Sequence, residues 1–230
     1  MPKRFVVGDV HGCAKALRTV IDAMELTLDD EVIFLGDYVD RGPDSKDCIE
    51  QIIDLQHRTR VITLRGNHEI MFSGVLMGGL DDELWLHNGG QATVASYGGS
   101  LTKVPKSHRE FLAALVSHYE TETEIFIHAC YDPAKSLDET CDRLRYWEHL
   151  STPYPGPHQT GRRVYVGHTP QPRGEILDLG HLLCVDTCCF GGGYLTALNL
   201  HDGSLLQSDP SGHLRRRLLR DLWARVLNLF

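Results

Sequence analysis

Short apolar runs that end at a glycine or a polar side chain recur along this chain of 230 residues. The runs hold only three to six residues and are rich in β-branched and aromatic side chains, which is typical of buried strands. The seven runs lie at 5–7, 32–35, 61–64, 125–127, 164–166, 182–186 and 193–198. With 42% hydrophobic and 23% charged residues, this pattern excludes collagen-like, disordered and coiled-coil chains.

Helical patterning fills the intervals between the runs. Apolar side chains recur at three- and four-residue spacing in 13–24 and 44–56. Three further segments, 68–77, 108–118 and 136–149, are also predicted to be helical. Because strands and helices alternate, we expect a layered α/β domain with mixed sheets. The length suits one domain over 1–230, and the proline-containing stretch 152–163 is predicted to be a loop within it.

Residues that bind metals or transfer protons follow the predicted strands. Ligands of open α/β sheets collect at the carboxyl ends of strands, so we expect these side chains to share one site. They are Asp9, His11, Asp37, Asp40, Asn67, His68, His128 and His168. Carboxylate and amide oxygens together with imidazole nitrogens favour two divalent ions of the Mn, Fe or Zn type over a thiolate-rich structural site.

This residue set predicts direct hydrolysis of a phosphate ester. A carboxylate such as Asp37 can bridge two ions through its two oxygens, and two such ions clamp a phosphate and acidify a bridging water. Arg41 is placed to bind the phosphate with its guanidinium fork. His68 is placed to protonate the leaving oxygen, and Asp40 to orient that imidazole and keep it protonated.

Five segments of the chain resemble the motifs of the PPP phosphoprotein phosphatases, in the family's order. They are Gly8–Gly12, Gly36–Gly42, Gly66–Glu69, His128-Ala129 and Gly167–Pro170. Residues 88–98 and the short length are similar to the compact bacterial and bacteriophage branch. The resemblance covers residues 4 to about 200.

The resemblance implies a β-sandwich of two mixed sheets flanked by helices in four layers. By motif, Asp9, His11 and Asp37 would hold one metal ion, and Asp37, Asn67, His128 and His168 the other. We expect Mn²⁺ at both positions, with Fe, Zn or Mg as alternatives.

The implied activity is hydrolysis of phosphomonoesters, on phosphoproteins or small phosphoesters, by a metal-bridging water with His68 as general acid. We expect a serine/threonine protein phosphatase. Hydrolysis of diadenosine tetraphosphate is the alternative, although Val39–Arg41 and Asn67–Glu69 favour the protein phosphatase. A non-catalytic phosphate-binding regulatory module would lack acid or metal residues, whereas His68 and Asp40 are both present.

The second phosphate-binding arginine of the family has no direct counterpart. It normally follows a tryptophan between the two late histidine motifs, where this chain has His149 after Trp147-Glu148. Arg145 or Arg143 would substitute for it, unless the contact is absent. The phosphate-binding residues expected here are therefore Arg41, Asn67 and Arg145.

Charge distribution defines the remaining expectations. The net charge of −8 does not indicate a nucleic-acid partner, but bound cations would make the site receptive to phosphate. Residues 214–230 carry five arginines and one aspartate and are predicted to form a basic amphipathic helix. We expect this helix to pack on its own domain, with a partner or dimer contact and a membrane surface as alternatives.

The apolar segments and the cysteines of the chain predict its compartment. The first residues have no long apolar stretch, and no segment approaches the ~20 apolar residues of a membrane span. The seven cysteines are odd in number and lack a CxxC pair, so we expect reduced thiols in a cytoplasmic protein.

The glycine run Gly191-Gly192-Gly193 lacks a following helix and is interpreted as a turn between strands.

Overall fold

The computed structural model describes residues 2–218, and within them all seven apolar runs form β-strands. Four additional strands, β4, β7, β10 and β11, arise where no such run was evident. The strands are β1 (Arg4–Val7), β2 (Glu31–Phe34), β3 (Arg60–Thr63), β4 (His118–Glu120), β5 (Glu124–Ile127), β6 (Arg163–Val166), β7 (Leu177–Asp178), β8 (Leu182–Cys184), β9 (Leu195–Asn199), β10 (Ser204–Ser208) and β11 (Leu214–Leu218).

The strands form two mixed sheets. The first has the order β11-β10-β9-β1-β2-β3, in which β1, β2 and β3 are parallel and the other pairs are antiparallel. The second has the order β4-β5-β6-β8-β7, with β5, β6 and β8 parallel. The carboxyl ends of β1, β2 and β3 therefore meet at one edge, and those of β5, β6 and β8 at another.

Alternation of side chains along the strands builds the layers. Val6 of β1 packs between the sheets, whereas its neighbours Phe5 and Val7 face the helices. Phe126 of β5 likewise enters the core between the sheets, and Ile125 and Ile127 lie in a separate outer core. Because strand side chains alternate with period two, the central strands of each sheet are buried on both faces.

Helices cover the outer faces of this sandwich. They are α1 (Ala14–Met24), α2 (Ser45–Gln56), α3 (Asn67–Leu76), α4 (Asp82–Trp85), α5 (Gln91–Ser96), α6 (Lys106–Ala114) and α7 (Asp142–Trp147), with a π-helical turn at Leu86–Gly90 and a 3₁₀ turn at Leu101–Lys103. Side chains of α1, α2, α3 and α6 share the core on the first sheet. The predicted α/β sandwich with flanking helices is confirmed. None of the helices that the structure describes is long and apolar enough to span a membrane.

Two helix predictions need correction. The predicted helix 108–118 ends at Ala114, because the chain then crosses to pair Leu64 with Val116 and to form β4. The predicted helix 136–149 is reduced to α7.

The helix predicted over 214–230 is wrong at its start, since Leu214–Leu218 is the edge strand β11. Antiparallel pairing with β10 accounts for the strand, with Leu206 opposite Arg216. Arg215 also donates to Oε1 of Gln207 at 2.8 Å and lies over the Tyr194 ring. The rest of that predicted helix lies outside the described residues.

Candidate metal centre

The eight chemically reactive residues predicted from the strand ends come together and are buried. Asp9 and His11 follow β1, Asp37 and Asp40 follow β2, and Asn67 and His68 begin α3 directly after β3. His128 and His168 follow β5 and β6 of the second sheet. The site therefore lies where the carboxyl ends of parallel strands from both sheets face each other.

Tight loops after the strands direct these side chains inward. His11, Asp37, Asp40, Arg41 and His168 all have left-handed backbone conformations, with φ between 44° and 71°. Such conformations are unfavourable for residues with a Cβ. Gly66 is required beside them, since a Cβ there would collide with Oδ1 of Asp37.

Three imidazoles are held so that one nitrogen points into the site. Nδ1 of His11 lies 3.0 Å from the carbonyl oxygen of Val39, and Nδ1 of His128 lies 2.7 Å from that of Leu35. A carbonyl only accepts, so each Nδ1 carries the proton and each Nε2 presents a lone pair. His168 is similarly hydrogen-bonded to the backbone at Trp147, and its buried Nε2 has no hydrogen-bond partner among the described residues.

The lone pairs converge on one another in two groups that share Asp37. Oδ2 of Asp37 lies 3.4 Å from Nε2 of His11, and Oδ1 lies 3.5 Å from Nε2 of His128. Candidate ligand atoms of His11, Asp37 and His68 lie within 4.8 Å of one another, as do those of Asp37, His128 and His168. The shared carboxylate directs one oxygen toward each group.

Asn67 strengthens the case for a cation. Its Oδ1 lies 3.1 Å from Nε2 of His128. Because Nδ1 of His128 already carries the proton, Nε2 and Oδ1 are two acceptors that face each other in this orientation of the amide. A positive ion satisfies such a pair, and a neutral imidazole is the form that binds metals.

Burial keeps these imidazoles neutral. It lowers the pKa of His11 and His128, and it lowers that of His168 to about 3. Burial also opposes ionisation of Asp37, but at the acidic pH where this carboxyl titrates the surrounding histidines are protonated, and their charge outweighs burial and holds its pKa below the usual value. A bridging carboxylate and neutral imidazoles suit a divalent cation.

Two further carboxylates lie close to Asp37. Burial, together with repulsion from Asp186 and Asp37, raises the pKa of Asp9 well above its usual value, and burial raises that of Asp186 to about 7. Asp9 accepts the N–H of His168 at 3.0 Å and belongs to neither group of converging atoms among residues 2–218. Sequence reasoning missed Asp186, although it ends one of the apolar runs. Divalent cations would relieve the repulsion among these acids.

His68 and Asp40 form a buried pair beside the converging atoms. Nδ1 of His68 lies 2.7 Å from Oδ2 of Asp40. Burial lowers the pKa of His68, but the charge of Asp37 and the hydrogen bond to Asp40 outweigh burial, so the net shift is upward. Trp85 Nε1 and Thr93 Oγ1 donate to the two oxygens of Asp40 at 2.9 and 2.6 Å. The carboxylate is thereby fixed with its acceptor side toward the imidazole.

Glu69 supports the loop that carries Asp37. Its carboxylate accepts the backbone N–H groups of Asp37, Tyr38 and Gly66 at 2.8 to 3.0 Å. Burial raises the pKa of Glu69 to about 8, and repulsion from Asp37 adds to this, whereas the N–H donors favour the ionised form. The sequence motif contains Glu69, but its acceptor role depends on the folded loop.

The two arginines predicted to bind phosphate have different surroundings. Arg41 is exposed, and its Nη1 lies 3.0 Å from Nε2 of His11. Arg145 is buried, and its Nη2 donates to the carbonyl oxygens of Leu137 and Thr140 at 2.7 and 2.8 Å. Nη2 of Arg145 therefore braces a neighbouring turn, and the expected contact of this residue with phosphate stays a prediction.

His149 occupies the side of the site where the second arginine was expected. Its exposed ring stacks on that of His168, with 4.4 Å between centroids and 28° between the planes. The loop is anchored by the N–H of Leu150, which donates to Thr169 Oγ1 at 2.9 Å. The sequence position of His149 does not by itself predict this stacking on His168.

Comparison with known proteins agrees with this geometry. The family model of calcineurin-like phosphoesterases matches residues 3–192. The chain is 34% identical over 67 residues to a symmetrical bis(5′-nucleosyl)-tetraphosphatase of Wigglesworthia glossinidia brevipalpis. It is 35% identical over 66 residues to a Caenorhabditis elegans protein named as a candidate serine/threonine-protein phosphatase.

These matches have limited extent. They cover 29% and 28% of this chain, and only 24% and 18% of the two relatives. A crystal structure described as a candidate diadenosine tetraphosphatase superposes with a TM-score of 0.66 at 17% identity, covering 94% of this chain and 95% of the other. At that identity the superposition supports the fold alone.

Proposed function

Because this chain belongs to the calcineurin-like phosphoesterase family, we propose that it hydrolyses phosphomonoesters, with phosphoserine and phosphothreonine in proteins as its main substrates. The observation that carries this proposal is the convergence of acceptor atoms on both oxygens of Asp37, next to the His68–Asp40 pair. The proposed metal ligands and the proposed proton donor are then neighbours, as ester hydrolysis requires.

In this proposal Asp9, His11 and Asp37 hold one divalent cation, and Asp37, Asn67, His128 and His168 hold the other. When bound, two such cations stabilise charge on the phosphate oxygens and acidify a water nucleophile. Asp9 enters the ligand set by its motif and by its place near Asp37; burial, with repulsion from Asp186 and Asp37, opposes its ionisation, and a bound cation would relieve that cost.

The chain's own residues supply binding and proton transfer. Arg41 presents an exposed guanidinium beside His11 and binds the substrate phosphate, and Asn67 adds a polar contact. His68, held by Asp40, gives its proton to the leaving oxygen of the serine or threonine. Burial of both groups keeps bulk water away from this proton transfer.

A comparative hydrolysis assay tests the proposal. The protein is purified with Mn²⁺ and assayed in separate reactions at equal substrate concentrations. The substrates are a phosphoserine peptide, a phosphothreonine peptide, a phosphotyrosine peptide and diadenosine tetraphosphate. We expect the highest kcat/KM on the phosphoserine or phosphothreonine peptide, and no turnover after chelation. Preference for diadenosine tetraphosphate would overturn the substrate assignment, and absence of all hydrolysis would overturn the activity.

Hydrolysis of diadenosine tetraphosphate is the second candidate function. It is supported by the 34% identity with a symmetrical bis(5′-nucleosyl)-tetraphosphatase over 67 residues. The same assay separates the two candidates. A non-catalytic phosphate-binding role is disfavoured by the intact His68–Asp40 pair.

We further propose manganese as the working metal and the cytoplasm as the compartment. Oxygen and imidazole donors without thiolate support Mn²⁺ over metals that require sulfur. The seven cysteines are free thiols, which supports a reducing compartment. Activity restored to chelated protein by Mn²⁺, Fe²⁺, Zn²⁺ or Mg²⁺ in parallel ranks the metals. Partner or dimer contact through 214–230 stays a prediction.

A further inference from the structure

The glycine-rich stretch after β8 forms a braced turn beside the candidate site. Asp186 Oδ1 accepts the N–H of Cys188 at 2.9 Å, and the N–H of Gly193 donates to the carbonyl of Cys188 at 2.9 Å. A Cβ at Gly193 would collide with the carbonyl oxygen of Thr187, so the turn closes this tightly only with glycine there. The turn therefore holds its tip, Phe190, in one place.

Phe190 contacts two groups of the candidate site. The Cζ atom of Arg41 lies over its ring, 4.6 Å from the centroid. The ring of His11 approaches edge-on, with 5.1 Å between centroids and 79° between the planes. Phe190 is 39% exposed, so its ring is not part of a buried core and remains accessible beside Arg41.

Arg41 and Phe190 both line an open cleft. It has a volume of about 490 Å³ and is lined by Arg41, His87, Asn88, Gly89, Pro170 and Phe190. The backbone of Arg41 is tied to this wall, since its N–H donates to the carbonyl of Gly89 at 3.1 Å. Gly89 thus fixes the backbone of Arg41, and Phe190 contacts its guanidinium.

An arginine side chain has many rotamers, and binding a phosphate with its fork requires one of them. A guanidinium already stacked on an aromatic ring has lost much of that freedom before the substrate arrives. Cation–π attraction favours the stack and uses none of the five N–H donors. One nitrogen, Nη1, faces Nε2 of His11 at 3.0 Å, and the other donors do not depend on the ring.

We propose that Phe190 is a positioning residue that holds the guanidinium of Arg41 in its phosphate-binding orientation. This inference rests on the proposed function, because Arg41 is a phosphate ligand only within it. Phe190 acts through Arg41 and need not touch the reacting atoms itself. Its effect should consequently disappear when Arg41 is absent.

A double-mutant cycle on phosphate affinity tests this inference. Calorimetry measures the Kd of inorganic phosphate for Mn²⁺-loaded protein carrying Phe190→Leu, Arg41→Ala or both. We expect Phe190→Leu to raise the Kd about two- to fivefold, and Arg41→Ala to raise it about 10- to 100-fold. The double variant should match Arg41→Ala.

Matched variants separate positioning from a structural role. Phe190→Tyr keeps the ring and should restore the unsubstituted Kd. Tyr154→Leu removes an aromatic side chain of nearly equal exposure, 38%, and should leave the Kd unchanged. With a phosphoserine peptide, Phe190→Leu should raise KM while kcat stays within about twofold, because the proton donor is untouched.

Each other outcome overturns the inference. An unchanged Kd in Phe190→Leu, or an equal loss in the Arg41→Ala background, shows that the ring does not act through Arg41. Loss of metal in Phe190→Leu shows that the ring supports His11 instead. If the unsubstituted protein binds no phosphate under any metal, the proposed function fails as well, which distinguishes the two failures.

Discussion

Nδ1 of His68 lies 2.7 Å from Oδ2 of Asp40, and both side chains are buried. One proton on Nδ1 makes this hydrogen bond, and the protonated imidazolium carries a second proton on Nε2, which can donate toward the site. Because Trp85 donates to the same oxygen, Oδ2, and Thr93 donates to Oδ1, the carboxylate that orients His68 is fixed before any substrate binds.

Replacing His68 should remove proton transfer while leaving the metal ligands in place. We expect His68→Asn to lower kcat on a phosphoserine peptide by about 10²- to 10⁴-fold. Metal analysis of the purified variant should find the same content as in the unsubstituted chain. His68 also lies within the first group of converging atoms, so a loss of metal would identify it as a ligand rather than an acid.

Asp40→Asn should change the pH dependence of activity. A general acid works while protonated, so activity falls as the pH rises through the pKa of His68. Burial opposes protonation of His68, and the charge of Asp37 and the hydrogen bond to Asp40 outweigh it. Removing the carboxylate therefore lowers this pKa, and the alkaline limb of the kcat profile should move to lower pH. A limb that stays in place would exclude His68 as the group that titrates.

Asp37→Asn should weaken both metal positions together. An amide cannot offer a charged oxygen to each side, and both groups of converging atoms share this carboxylate. We expect metal analysis to find loss of both ions, with no activity. Asp9→Asn is the matched comparison, since it should weaken one position only. Retention of both ions in Asp37→Asn would exclude bridging.

Glu69→Gln should destabilise the loop that carries Asp37. The carboxylate accepts backbone N–H groups at both oxygens, and an amide nitrogen in place of one oxygen would face donors. We expect a loss of about 3 kcal/mol in the free energy of unfolding by urea, together with weaker metal binding. The exposed Glu83→Gln variant should change neither. Unchanged stability in Glu69→Gln would show that the loop is held in another way.

Arg145→Lys tests whether that residue braces the turn or binds phosphate. A lysine ammonium does not reproduce the planar guanidinium whose Nη2 donates to both carbonyls, so we expect unfolding to become easier by about 2 kcal/mol. The KM for a phosphoserine peptide should not change. Arg143→Lys, at an exposed position, serves as the control. A raised KM with unaltered stability would return Arg145 to the phosphate-binding set.

The parts of the fold that sequence could predict are those in which local pattern and burial agree. Phe5–Val7 and Ile125–Ile127 are apolar on both faces, and each is covered on both faces in the sandwich. The site residues follow from the same strands, because a strand's carboxyl end also fixes where the next side chains point.

The parts that sequence could not predict depend on partners distant in the chain. The leucines at 214 and 218 suit a helix by spacing, but pairing with β10 makes the segment a strand. The segment from α4 to α5 lacks a regular spacing of apolar residues, yet Trp85 and Thr93 within it donate hydrogen bonds to the carboxylate of Asp40. Arg145 shows the same limit, since only the folded turn at 137–140 reveals which carbonyls bind its guanidinium.

The left-handed residues around the site set stability against activity. His11, Asp37, Asp40, Arg41 and His168 occupy backbone conformations that cost roughly 1 kcal/mol each for a side chain with a Cβ. Glycine would relieve that cost at every one of these positions and abolish the chemistry. Selection for thermal tolerance alone would therefore tend to erase the site, and mutational libraries of this chain should be screened for turnover alongside folding.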